Sequence, residues 1–184
     1  MRNSEVRGRR GFTLLEVMIA LTVVTASMVG LFSTILHLSR MNATNAENLA
    51  AMRGAEKMIE TMKNTEFGRI FATYNASAAD DPPPGPGTAP GPNFDVEGLV
   101  PRSDDPDGKC GKILFPTGSG SSQLREDTVD RDLMMPRDLN GNGKIDGADV
   151  AATYTLLPVT IQIDWQGIQG HRSWIYRTIL LKKH

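Results

Sequence analysis

The chain has 184 residues, 40% of them apolar and 22% charged, with a formal net charge of -1. That length accommodates one modest domain and one further long element, and no basic run is present to form a nucleic-acid footprint. A single cysteine, Cys110, excludes an internal disulfide, so other interactions must hold the domain together.

Residues 1–11 are a short basic leader in which Arg2, Arg7, Arg9 and Arg10 outweigh Glu5. With that +3 removed, the remaining chain carries -4. An apolar run follows at once, and from Phe12 to Leu38 its one formally charged side chain is Glu16. A helix over 12–38 would extend roughly 40 Å, enough for a hydrocarbon core of about 30 Å. The basic leader is expected to stay in the cytoplasm and residues beyond about 40 to lie outside it. A carboxylate inside a bilayer costs on the order of 3 kcal/mol, so Glu16 needs an explanation. It could reach headgroups from a position about 6 Å past the helix start, or it could pair with a cation inside the membrane.

An ordinary export signal is cut after its apolar region. Here Gly11-Phe12 precedes that region, so cutting there would discard the leader and keep the hydrophobic helix. The segment Gly11-Phe12-Thr13-Leu14-Leu15-Glu16, followed by Val17-Met18-Ile19-Ala20-Leu21, resembles the processing signal of type IV pilins and type II secretion pseudopilins. The resemblance extends over residues 8–63 and is closest to minor pilins and minor pseudopilins. It implies cleavage by a prepilin peptidase after Gly11, N-methylation of Phe12, and pairing of the new amine with the glutamate of a neighbouring subunit, here Glu16. Many major pilins kink this helix with a proline, whereas none occurs here between Phe12 and Tyr74.

Beyond the apolar run, Leu38, Met41, Leu49, Met52, Ala55, Ile59 and Met62 recur at helical spacing and are expected to pack as one stripe on a soluble domain. Asn64-Thr65 and Gly68 mark the end of this extension. Residues 82–92 hold six prolines and three glycines, which excludes helix and central strand and indicates an extended loop. Lys112–Phe115 or Asp95–Val100 could each add a strand. Gly118–Ser122 is a flexible stretch without the Gly-Lys-Ser/Thr ending of a phosphate loop.

Between Asp138 and Asp149 the spacing is that of a calcium loop. Asp138, Asn140, Asn142, Asp146 and Asp149 stand at positions 1, 3, 5, 9 and 12, Gly143 at 6, and Lys144 at 7 offers its carbonyl. Ile145 is expected to point inward. The loop resembles an EF-hand and, with aspartate at position 12, more nearly a dockerin loop, though dockerins carry two such repeats. Its few carboxylates suit an affinity of about 10⁻⁴–10⁻³ M. The competing reading is a solvated Asn-Gly turn.

Finally, Val159, Ile161, Ile163 and Trp165 alternate with polar residues, 166–171 turns, and Arg172–Leu181 returns, an antiparallel hairpin. His37, His171 and His184 form no zinc-protease motif, and no nucleophile elbow occurs. Cys110 reads as a free, inert or tip-exposed thiol, and Asp127, Asp130 and Asp132 as an acidic face rather than a catalytic pair. No enzyme is expected.

The expected architecture is α+β and pilin-like, a long N-terminal helix packed on a small antiparallel sheet. It divides into leader 1–11, transmembrane helix 12–38, amphipathic extension 39–68, Pro/Gly-rich loop 69–94 and β-rich head 95–184. The expected function is that of a minor filament subunit in the bacterial inner membrane with its head outside the cytoplasm. Its expected partners are the prepilin peptidase, other pilin or pseudopilin subunits and an inner-membrane assembly platform. A type IV pilus and a type II secretion pseudopilus both fit. The alternative is a membrane-anchored calcium-binding or adhesion module that never polymerises.

Overall fold

A computed structural model of the chain describes residues 11, 13–117 and 123–182. Residues 1–10 of the leader, Phe12, the 118–122 stretch, Lys183 and His184 lie outside these residues. The chain forms two compact units, one ending at Ala43 and one beginning at Thr44. Helix α1, Leu14–Asn64, is 51 residues long and contributes to both.

In the first unit α1 carries apolar side chains on every face, with Leu14 80% exposed and Phe32 67%. Its hydroxyls are satisfied within the helix. Thr25 donates to the Leu21 carbonyl at 2.8 Å, Ser27 to Val23 at 2.8 Å and Thr34 to Gly30 at 3.0 Å. Such back-bonding leaves few groups in need of water, as a hydrocarbon environment demands. Among the described residues α1 is the helix long and apolar enough to cross a membrane.

In the second unit one face of α1 is buried at Ala51, Ala55, Ile59 and Met62. This corrects the expected stripe. Ala55, Ile59 and Met62 are buried, but Leu38, Met41, Leu49 and Met52 are exposed. The buried face is built partly from alanine because the backbone approaches its neighbours closely. At Gly54 a Cβ would lie 2.6 Å from Val96 Cγ1.

Helix α1 ends at Asn64, as the polar break indicates. A 3₁₀ turn, Phe67–Arg69, replaces the last part of the extension expected over 39–68, and a short helix α2, Ile70–Tyr74, follows where the loop 69–94 was expected. Ile70, Phe71 and Tyr74 enter the core. The Tyr154 hydroxyl donates to the Phe67 carbonyl and accepts from the Phe71 N–H at 3.3 Å, fixing this corner.

The sheet is antiparallel, of order β1-β2-β3-β4: Asn93–Phe94, Gly111–Leu114, Leu156–Gly167 and Gly170–Leu181. The pilin-like α+β arrangement expected from the sequence is therefore present. The hairpin has Trp165 facing Arg172 and Ile163 facing Trp174 across its strands. The strand considered at Asp95–Val100 is instead the two residues just before it, because Leu99 N–H bonds back to the Val96 carbonyl and Gly98 takes a φ of 84°. Thr160, expected on a solvated face, is buried, since the 3₁₀ turn Arg131–Leu133 packs on β3 and β4.

Glu47 joins α1 to the hairpin. Its carboxylate accepts from Trp165 Nε1 at 3.2 Å and from the Ile168 N–H at 3.0 Å. Gly167 makes room for it, because a Cβ there would stand 2.5 Å from Glu47 Oε2. Glu47→Ala is expected to lower the stability of the second unit by about 1.5–2 kcal/mol, the lower end of the scale for hydrogen bonds to a charged group, since the contact is half-buried. Urea denaturation of the full chain in detergent, followed by tryptophan fluorescence, measures this loss.

Candidate functional site

Glu16 occupies the first turn of α1. Thr13 Oγ1 accepts its N–H at 3.2 Å, so Thr13-Leu14-Leu15-Glu16 has the Thr-x-x-Glu spacing of a capping box. An acid there also faces the positive end of the helix dipole. This local role was legible in the sequence but missed, because the same residues also carry the processing signal. Among the described residues no group donates to or pairs with the Glu16 carboxylate. Gly11 is exposed, while Phe12, the expected cleavage and methylation position, lies outside the described residues.

The acidic loop is a string of Asx turns. Asp138 Oδ1 accepts from Gly141 N–H at 2.7 Å and Oδ2 from Gly143 N–H at 2.7 Å. Asn140 Oδ1 and Asn142 Oδ1 accept from the N–H groups of Asn142 and Lys144, and Asp146 Oδ1 from Ala148 N–H. Gly141 and Gly143 take φ values of 77° and 82°, which glycine alone adopts without strain.

Sequence reasoning missed the residue that holds this loop. Glu126 is fully buried, and its carboxylate accepts from Leu139 N–H at 2.8 Å, Asn140 N–H at 3.2 Å and Asp146 N–H at 3.4 Å. Nothing in the local pattern Arg125-Glu126-Asp127 distinguishes it from the solvated acids nearby. Leu139, fully buried, is the apolar pin, whereas Ile145, expected to point inward, is 52% exposed. The loop reaches the core at its start, through Leu139, and just past its end, through Val150.

A calcium ion fits this segment in donor chemistry, since every candidate ligand is an oxygen. The carboxylates are less gathered than the spacing implies. Asp149 Oδ1 accepts from Leu124 N–H and Ala151 N–H, each at 3.1 Å. Among the described residues no three acidic, histidine or cysteine side chains converge to hold a metal.

The remaining candidates have structural partners. Asp127 pairs with Arg125 at 2.6 Å, Asp132 with Arg177 at 3.0 Å, and Asp130 caps the Arg131–Leu133 turn. Cys110 is buried, and burial, with Asp95, Asp105 and Asp164 nearby, pushes its thiol up, away from the reactive thiolate. It is therefore not tip-exposed. His171, expected in the turn, lies in β4 with Nε2 3.0 Å from Arg102 Nη1.

Comparison with known families finds one feature. A model described as the prokaryotic N-terminal methylation motif matches residues 6–32. No curated protein and no solved structure matches the chain. The motif, which overlaps the start of a long apolar helix, indicates a prepilin-type, pilin- or pseudopilin-like protein and points to membrane anchoring; it is a structural signature and not that of an enzyme class.

The Gly143 N–H, with those of Gly141 and Asn142, holds the Asp138 carboxyl below the usual carboxylate range. A depressed folded value stabilises the loop above the unfolded value of about 3.9, and that contribution is lost as pH falls through the folded one. Amide exchange at Gly141 and Gly143, corrected for its intrinsic pH dependence, should show constant protection from about pH 5 upward and lose it below about pH 4. Asp138→Asn should remove that dependence.

Proposed function

We propose that this chain is a structural minor subunit of a filament, anchored in the bacterial inner membrane through α1 and assembled after processing between Gly11 and Phe12. The observation that carries the reading is the methylation motif over residues 6–32 running into a helix whose first part is apolar on every face and holds one carboxylate in its first turn. Cleavage after Gly11 would free an amine on Phe12, close in sequence to Glu16. In a low-dielectric setting, leaving either charge unpaired is costly. A neighbouring subunit that supplies the opposite charge relieves that cost, so the pair selects the docked state. The basic leader orients the second unit away from the cytoplasm.

The proposed partners are the prepilin peptidase, neighbouring pilin or pseudopilin subunits and an inner-membrane assembly platform. The lack of proline before Tyr74 favours a minor over a major subunit. Nucleic acid is not a favoured partner, because the processed chain is acidic. No catalytic role is proposed, as the acids nearest a catalytic pattern are spent on Arg125, Arg177 and a turn.

Glu16→Ala is expected to leave processing and membrane insertion intact while reducing the subunit's recovery in sheared filaments or the assembled pseudopilus at least about tenfold, equivalent to about 1.4 kcal/mol. Quantitative immunoblotting of filament and membrane fractions checks this. Normal incorporation of the variant would refute the docking role.

The same reading assigns a structural calcium ion to the loop, held by Asp138, Asn140, Asn142, Asp146 and Asp149 with the Lys144 carbonyl. Calcium would draw the loop's oxygens inward and order a domain that has no disulfide. At 100-fold excess over its dissociation constant, such an ion raises stability by about 2.7 kcal/mol. Melting of the full chain with calcium and with chelator should therefore differ, and Asp138→Ala should abolish the difference. Coincident melts would exclude the ion.

A further inference from the structure

The two edges of the sheet are built differently. β1 is a 2-residue strand directly after Pro92, an edge too short to template another strand. β4 is 12 residues long and contains neither proline nor acid. The phase of the ladder fixes which of its groups are spent. Asp164 and Gln166 donate their N–H groups to the Cys110 and Val100 carbonyls, away from β4. In an antiparallel pair the alternate residues, Val159, Ile161, Ile163 and Trp165, therefore bond to β4. Their register partners Thr178, Tyr176, Trp174 and Arg172 are thereby used.

The residues between them, Ser173, Ile175, Arg177 and Ile179, turn N–H and C=O outward. Among the described residues nothing bonds to those backbone groups. Beside this edge a cavity of about 530 Å³ lies between the end of α1 and the last part of β4, lined by Lys63, Phe67, Ile70 and residues 178–181. An open edge next to an apolar recess supplies both parts of strand addition: main-chain hydrogen bonds for affinity, and a pocket for an alternate side chain. The ionisable residues on β4 other than Tyr176 are His171, which lies 3.7 Å from Asp164, Arg177, which pairs with Asp132 at 3.0 Å, and Arg172. Arg172, with Lys63 and Lys182 at the end of the strand, has no ion-pair partner among the described residues and gives this edge its positive balance. A second copy of β4 would bring the same cations and no carboxylate.

We propose that the free edge of β4 binds an extended segment of a partner protein that alternates acidic and apolar residues, with one apolar side chain seated in the recess beside Phe67 and Ile70. This surface lies wholly in the second unit and does not depend on the filament reading.

The test uses the full chain in detergent micelles and a capped heptapeptide of alternating glutamate and valine, with a lysine-valine peptide as control. Amide exchange at Ser173, Ile175, Arg177 and Ile179 should slow at least about tenfold with the acidic peptide, and the lysine peptide should bind about tenfold more weakly. Ile175→Pro removes an outward donor without touching the ladder to β3 and should abolish the protection at unchanged stability. Arg177→Glu, which leaves the backbone intact, should weaken the acidic peptide and strengthen the basic one, and it carries the test if the proline variant fails to fold. Unchanged exchange, equal effects of the two peptides, or protection that survives both substitutions would overturn the proposal. Protection that appears without peptide and rises with protein concentration would assign the edge to a second copy and also overturn it.

Discussion

The contact between Glu47 and the β3–β4 turn is the constraint on which the second unit depends. A helix can slide along or roll on a sheet when only apolar surface joins them, because the hydrophobic effect is not directional. Glu47 removes that freedom by accepting from Trp165 Nε1 and from the Ile168 N–H together. Gly167 admits the carboxylate at a distance no Cβ would allow. With that point fixed, Ala51, Ala55, Ile59 and Met62 follow along one face of α1 into the core.

The domain has no disulfide, and buried hydrogen bonds take over that role at several points. Glu126 gathers the N–H groups of Leu139, Asn140 and Asp146 from inside the core. Tyr154 fixes the corner after α1 through Phe67 and Phe71. Each is a polar group with long sequence separation, satisfied inside a low-dielectric interior where leaving it unpaired is costly. The acidic loop can therefore expose residues 141–149 to solvent while Leu139 and Val150 secure it.

Much of this was legible in the residues. The hairpin followed from strict alternation over 159–165, and the end of α1 from Asn64-Thr65. The processing signal was legible because it is contiguous. What escaped depended on distant partners. Alanines 51 and 55 are buried by close backbone approach, which large-residue periodicity does not register, so Leu49 and Met52 were wrongly placed inside. Glu126 and Glu47 look like ordinary charged residues until the fold brings N–H groups to them. Ile145 was assigned inward by loop position, but Leu139, six residues earlier, took the core site, where Glu126 accepts its N–H. β1 shifted out of 95–100 because Gly98 makes a turn there.

Helix α1 faces two environments, and its residues are chosen accordingly: hydroxyls bonded back to the helix in the apolar part, and a polar clamp at Glu47 in the packed part. The motif over residues 6–32 overlaps the apolar part of this helix. The most direct test of this account is mass spectrometry of sheared surface filaments and washed membranes, seeking the N-terminal peptide. The account predicts a peptide that begins at an N-methylated Phe12, with the leader removed. An intact Met1 leader in every fraction would contradict it and leave a membrane-anchored module that is never processed.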